Sequence, residues 1–103
     1  MELSELRLLY CVMVDYYGMN FRSKSRKRPV ADGKSMFSYI ARKRGAMLMD
    51  IAQYMGWRDH STAIFAVRKM EDLMSIYPVF KKQYNDIVDE YEFRQAVGLF
   101  AEC

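Results

Sequence analysis

A glycine that ends one helical pattern stands three residues before an aspartate that begins the next, near the middle of the chain. Over residues 48–55, apolar side chains recur at three- and four-residue spacing, which is typical of an amphipathic helix, and Gly56 is suited to end it. Asp59 is a strong N-cap residue, and a long apolar stripe follows it. Two helices joined by so short a turn predict a helix-turn-helix.

Glycine, proline and capping residues divide the rest of the chain into three further helices. Ser4 is a candidate N-cap and Gly18 a candidate C-cap for the first, and Asp32 and Gly45 bound the second in the same way. Pro78 suits the first turn of the last helix. No alternating strand pattern occurs, so the sequence predicts an all-α fold of about five helices. The other three predicted helices span residues 4–17, 48–55 and 59–76.

Positive charge is concentrated in the middle of the chain. Residues 20–70 contain twelve Lys and Arg against three acids, a net charge of +9, whereas both flanking segments are acidic and the whole chain is only +3. Residues 19–33 are polar and basic, and Pro29 disfavours helix at the residue before it, so we expect an extended basic loop here. The segregation favours a polyanionic partner over the alternative of a solvated charged surface.

Several classes of protein are disfavoured by the sequence. The longest apolar run, Leu8–Val14, is too short to span a bilayer, and the N-terminus has acids where a signal peptide has bases, so we expect a cytoplasmic protein. With one histidine and no closely spaced cysteines, neither a metal site nor a cofactor is predicted. Without a second histidine or a glycine-rich phosphate loop, the chain is not expected to be an enzyme.

The first turn of the helix after Asp59 has side chains that suit base edges. In a helix-turn-helix the start of the second helix enters the major groove. His60 can donate to a purine acceptor, and Thr62 offers both a hydroxyl and a methyl group. The alternative is that DHST is only a helix cap and that Trp57 only packs. The coincidence of turn, polar first turn and basic loop favours nucleic-acid binding.

The stretch GWRDHSTAIFAVRK, residues 56–69, resembles the signature of the C-terminal DNA-binding domain of the bacterial replication initiator DnaA. Upstream, VDYYGMNFRSKSRKRPVADGKSM, residues 14–36, resembles the end of that domain's first helix and its basic loop, in register. The likeness covers roughly residues 5–90. It implies a helix-turn-helix fold shared with Trp repressor and binding of double-stranded DNA at short initiator boxes.

Roles for individual residues follow from the resemblance by position. Arg26 would enter the minor groove, with Lys27 and Arg28 beside it in the basic arm. The start of the fourth helix would read nucleotide bases in the major groove. Lysine and arginine side chains of the second helix, the turn and the fourth helix would contact the DNA backbone. The implied base-reading residues are Asp59, His60, Ser61 and Thr62, and the other candidate DNA contacts are Lys34, Ser35, Arg42, Arg58 and Arg68.

The sequence departs from the family pattern at several points. The family usually has Arg-Gln where this chain has Lys34 and Ser35, and lysine cannot reproduce the bidentate contact of an arginine. Gly33 replaces a usual proline, and Trp57 replaces a small or polar turn residue. These changes affect which DNA sequence we expect the chain to bind more than whether it binds DNA.

No ATPase phosphate loop is present, so we expect the DNA-reading domain alone. We predict that residues 1–92 form this domain and that residues 93–103 are a tail or an extension of the last helix. The tail is a candidate contact for a replication protein or a second copy of the chain. The role could be replication initiation or regulation, and the alternative function is a protein-interaction module that keeps the fold without reading DNA.

Overall fold

Five α-helices and no β-strand make up the parts of the chain that the computed structural model describes, residues 1–22 and 27–98. This result confirms the all-α prediction. The helices are α1 Leu3–Tyr17, α2 Arg28–Lys43, α3 Leu48–Met55, α4 His60–Ile76 and α5 Pro78–Val97.

Helix α2 contacts each of the other four helices, and its most extensive packing is against α4. The apolar face that the sequence predicts for α2 is fully buried and consists of Met36, Phe37, Ile40 and Ala41. Because α2 is enclosed in this way, the orientation of α4 is determined by the same packing that forms the core.

The second helix begins earlier than the sequence predicts. It starts at Arg28, with Lys27 in the N-cap position, so the N-cap prediction for Asp32 is wrong. Pro29 lies in the first turn, where its missing N–H has no intrahelical acceptor to lose. The proline therefore begins the helix instead of extending the loop, and the carbonyl of Lys27 accepts the N–H of Ala31 at 3.0 Å. The rest of the predicted basic loop includes residues 23–26, which lie outside the described part of the chain.

The segment between α1 and the basic arm is anchored to the core. The hydroxyl of Tyr10 donates to the side-chain oxygen of Asn20, which also accepts the N–H of Arg22 at 3.0 Å. Phe21 is fully buried, and its ring centroid lies 4.8 Å from that of Tyr10 and 6.1 Å from that of Phe37. The chain therefore enters the arm from a fixed position.

Polar side chains connect the C-terminal half of α1 to α5. Burial raises the pKa of the Tyr17 hydroxyl, which stays protonated and donates to α5. The sequence did not predict these contacts, because their partners are far apart in the chain. They are Tyr16 Oη to Asp86 Oδ2 at 3.1 Å, Tyr17 Oη to Gln83 Oε1 at 2.9 Å, and Arg94 Nη2 to Asp15 Oδ2 at 2.9 Å.

The start of the first helix differs slightly from the sequence expectation. Helix α1 begins at Leu3, so Ser4 is its second residue and not the N-cap. Glu2 occupies the N-cap position, and its N–H donates to the Glu5 carboxylate at 3.1 Å. At the other end, α5 continues through residues 93–97, which belong to the segment predicted to be a tail or an extension of the last helix.

Gly33 lies where α2 meets the anchored segment, and we expect Gly33→Ala to destabilise the fold. A Cβ at this position would lie 3.0 Å from Phe21 Cβ and 3.1 Å from its Cγ, and Phe21 is fully buried. Overpacking costs about 1–3 kcal/mol, and alanine recovers at most about 1 kcal/mol of helix propensity. Urea unfolding should therefore give a lower free energy of unfolding for the variant.

Asn85→Ala supplies the control, because Asn85 is an exposed position within α5 and reports the propensity gain alone. We expect this variant to be as stable as the wild type or more so. A Gly33→Ala protein that gains as much stability as Asn85→Ala would show that Phe21 does not restrict the position.

Candidate nucleic-acid interface

The turn between α3 and α4 is closed by two backbone hydrogen bonds. Gly56 has a left-handed backbone conformation with φ of 78°. The N–H of Trp57 donates to the carbonyl of Ala52 at 2.8 Å, and the N–H of Gly56 donates to that of Gln53 at 3.2 Å. This pair of bonds is a Schellman closure. Trp57 is half-buried and packs against the core, which agrees with the alternative that this residue only packs. This contact helps to hold the turn in place.

Asp59 caps α4, as the sequence predicts. Its Oδ1 accepts the N–H of Ser61 at 3.0 Å while the side chain remains 63% exposed. The bond from Ser61 lowers the pKa of the Asp59 carboxyl, so the group is ionised at neutral pH. His60 Nδ1 lies 3.4 Å from the same oxygen. The carboxylate therefore both fixes the helix start and presents negative charge at the surface.

The first turn of α4 projects most of the predicted reading side chains into solvent. His60 and Thr62 are exposed, as are Arg58 and Asp59, whereas Ser61 is half-buried. The adjoining core-facing side of the helix is inserted into the fold through Ala63, Ala66 and Val67, which are at most 8% exposed. The rotation of α4 about its axis is therefore fixed, and its polar start faces outward.

The backbone-contact candidates lie in different environments. Arg58 and Arg68 are exposed, and Lys34 is half-buried. Arg42 is exposed, but its guanidinium donates to the carbonyl of Ala46 at 3.0 Å and so supports the loop after α2.

Ser35 is the predicted contact that the structure makes least accessible. It is only 4% exposed, because α2 is enclosed by neighbouring helices on the side that carries this position. Little of its surface is therefore open to a DNA contact in this conformation, and its predicted role stays a prediction.

The basic arm is attached at both ends to the helix-turn-helix. On one side the Arg22 guanidinium lies 4.4 Å from the centroid of the Tyr54 ring of α3. On the other side Asp32, in the second turn of α2, lies 3.5 Å from Lys69 of α4. Lys27 is exposed at the start of α2. The described residues on either side of the segment 23–26 are therefore held against α3, through Arg22, and against α4, through Asp32 of helix α2.

The structure places only one of the two predicted arm residues Arg26 and Arg28. Arg26 lies outside the described residues, and Arg28 is known only as the first residue of α2. The sequence missed the stacking of Arg22 on Tyr54, because no local pattern connects residues so far apart. An arginine immediately before the arm is the only signal that could have suggested it.

The described ranges contain no group of three or more His, Cys, Asp or Glu side chains that could hold a metal ion. Within the same ranges, none of the helices has the length and apolar character needed to cross a membrane.

The closed turn, the capped second helix and the exposed first turn define a helix-turn-helix protein of the DNA-binding class. A family model described as the bacterial dnaA protein helix-turn-helix matches residues 12–70, more than half of the chain. The chain therefore belongs to the bacterial DnaA helix-turn-helix family. The matched range extends from α1 through the arm and the turn into α4.

Among curated proteins, the chain is similar to a chromosomal replication initiator protein DnaA from Flavobacterium psychrophilum. The two are 31% identical over 80 residues, which are 74% of this chain and 17% of the relative. The chain thus spans less than a fifth of the length of that initiator.

We expect Gly56→Ala to destabilise the turn. No atom lies within 4 Å of a Cβ placed on Gly56, so the effect is backbone strain at positive φ, about 1–2 kcal/mol. Thermal unfolding should give a lower melting temperature. Gly56→Asn is the matched control, because asparagine adopts the left-handed conformation more readily and should recover part of the loss. Equal losses for the two variants would contradict this explanation.

Proposed function

We propose that this chain binds double-stranded DNA in a sequence-specific manner. In this proposal the start of α4 reads the major groove while the basic arm enters the adjacent minor groove. The observation that supports it most strongly is the outward-facing first turn of α4 after a closed turn, with Arg22 before the arm held against α3 and Asp32 after it held against α4. Such pre-organisation reduces the ordering cost of binding.

The reading residues have distinct chemistry. The ionised Asp59 uses one oxygen for the cap and retains the other to accept from a cytosine amine. His60 turns its Nδ1 toward Asp59, which leaves Nε2 for a base edge. Thr62 is exposed and offers a hydroxyl together with a methyl that can meet a thymine methyl. Ser61 contributes least, because it is half-buried and its N–H serves the cap.

Contacts to the DNA backbone would come from lysine and arginine side chains around the start of α4. Arg58 and Arg68 are exposed, and within the described chain neither pairs with an acid. Lys34 supplies a further charge from α2. Arg26 directly precedes Lys27, the N-cap residue of α2, in the sequence. Together these groups favour phosphates and a narrow minor groove.

A role in replication initiation or its regulation is part of the proposal, and it rests on the name of the related initiator. No catalytic role is proposed. If the chain has lost duplex binding, the alternative is a protein-interaction module with the same fold.

Salt dependence tests the electrostatic part of the proposal. If about six phosphates are contacted, affinity for duplex DNA should fall about a thousandfold between roughly 50 and 200 mM salt. Arg26→Ala should weaken binding and reduce the slope of log affinity against log salt by about one. Fluorescence anisotropy on labelled duplexes measures both.

Lys81→Ala is the control for this experiment, because Lys81 is exposed on α5 in the acidic part of the chain. Its affinity and slope should match the wild type. Absence of duplex binding at about 50 mM salt would reject DNA binding. A slope unchanged by Arg26→Ala would remove the arm from the interface.

Selection from a random duplex library tests the reading residues. The wild type should select a defined site, whereas His60→Ala and Thr62→Ala should each lose preference at particular positions, by roughly 1–3 kcal/mol of discrimination. Ser75→Ala changes an exposed hydroxyl far along α4 that bonds the carbonyl of Asp72, and it should select the wild-type site. If both reading variants select the wild-type site, their assigned roles are wrong.

A further inference from the structure

Phe65 is the most exposed of the large apolar side chains in the described chain, at 70%. It lies in the second turn of α4, a helix whose opposite side supplies the core with Ala63, Ala66 and Val67. Within the described residues no ring contact involves Phe65, although its helix belongs to a well-packed core. The fold therefore does not explain why an aromatic ring is present at this position.

The position of Phe65 along α4 relates it to the reading residues. Side chains three and four residues apart lie on the same face of a helix, so Phe65 neighbours Thr62 and Ser61. At about 1.5 Å per residue, the Cα of Phe65 is roughly 4.5 Å further along the axis than that of Thr62 and roughly 6 Å further than that of Ser61. A helix whose first turn enters the major groove brings the next turn of the same face to the groove as well.

The next residues on this face are basic. Arg68 and Lys69 follow Phe65 at the same three- and four-residue spacing, and both are exposed. The ring thus lies between polar reading residues on one side and two basic side chains on the other, of which Lys69 also lies 3.5 Å from Asp32. This setting matches a polyanion with an apolar group between its charged strands better than it matches an apolar protein surface.

The major groove presents one such apolar group, the C5-methyl of thymine. We propose that Phe65 contacts a thymine methyl in the major groove and so makes this chain select thymine at one position of its site. The inference rests on the proposed function, and it adds a specificity residue that lies beyond the first turn of α4.

Deoxyuridine substitution isolates this contact, because it removes the methyl and leaves base pairing unchanged. Each thymine of the selected duplex is replaced in turn, and affinity is measured for the wild type and Phe65→Ala. The wild type should lose about fourfold in affinity at one thymine position, as expected for one buried methyl. Phe65→Ala should bind the thymine and deoxyuridine duplexes equally at that position.

Thr62→Ala is the matched control, since Thr62 also presents a methyl but lies one turn earlier. It should keep the loss at the position assigned to Phe65. Circular dichroism should show the wild-type helix content for Phe65→Ala, because the side chain is exposed and is not part of the described core.

Two results would overturn the inference. One is a Phe65→Ala protein that keeps the wild-type response to every deoxyuridine, which would assign the ring to another partner. The other is a wild type that responds to no deoxyuridine. In both cases the wild type still binds its selected duplex, so the proposed function survives. A wild type that binds no duplex would reject the two together.

Discussion

The packing of α2 against α4 is the constraint on which the candidate interface depends. It buries Ala63, which is fully enclosed, together with Ala66 and Val67, and this decides which residues of α4 remain outside. A rotation of α4 by one residue would bury His60 or Thr62 and expose apolar surface. Since the core is close-packed, such a rotation is not available without disrupting α2 as well. The outward direction of the polar first turn is therefore a consequence of the core.

Local signals in the sequence predicted the features that local forces determine. The closure at Gly56 and the cap at Asp59 are decided within a few residues by backbone conformation and by a side-chain acceptor, so a short stretch predicts them. The start of α2 was predicted wrongly because proline has two opposite effects. It disfavours helix at the residue before it, but it is also favoured in the first turn of a helix. Only the packing of the following residues decides between them.

Features that depend on distant pairs could not be read from the chain. Arg22 stacks on Tyr54, and the buried position of Ser35 follows from how four helices surround α2. The contacts between α1 and α5 are of the same kind. The sequence analysis counted Arg22 only among the basic residues of the middle segment, and it gave Ser35 a DNA contact by its position in the family resemblance. The three-dimensional arrangement made the first an anchor for the arm and the second a core residue.

The distribution of ion pairs gives the molecule two unlike sides. On the side of α1 and α5, Arg94 bonds Asp15 and Glu90, and Lys82 bonds Asp86, so these bases are neutralised within an acidic part of the chain. Around the start of α4, Arg58 and Arg68 pair with no acid in the described chain. Matched charges contribute little field at a distance, whereas unmatched bases attract a polyanion over about a Debye length. If the proposed function holds, this segregation would orient an approaching duplex toward α4 and keep it from the acidic face, so that orientation is selected before any nucleotide base is contacted.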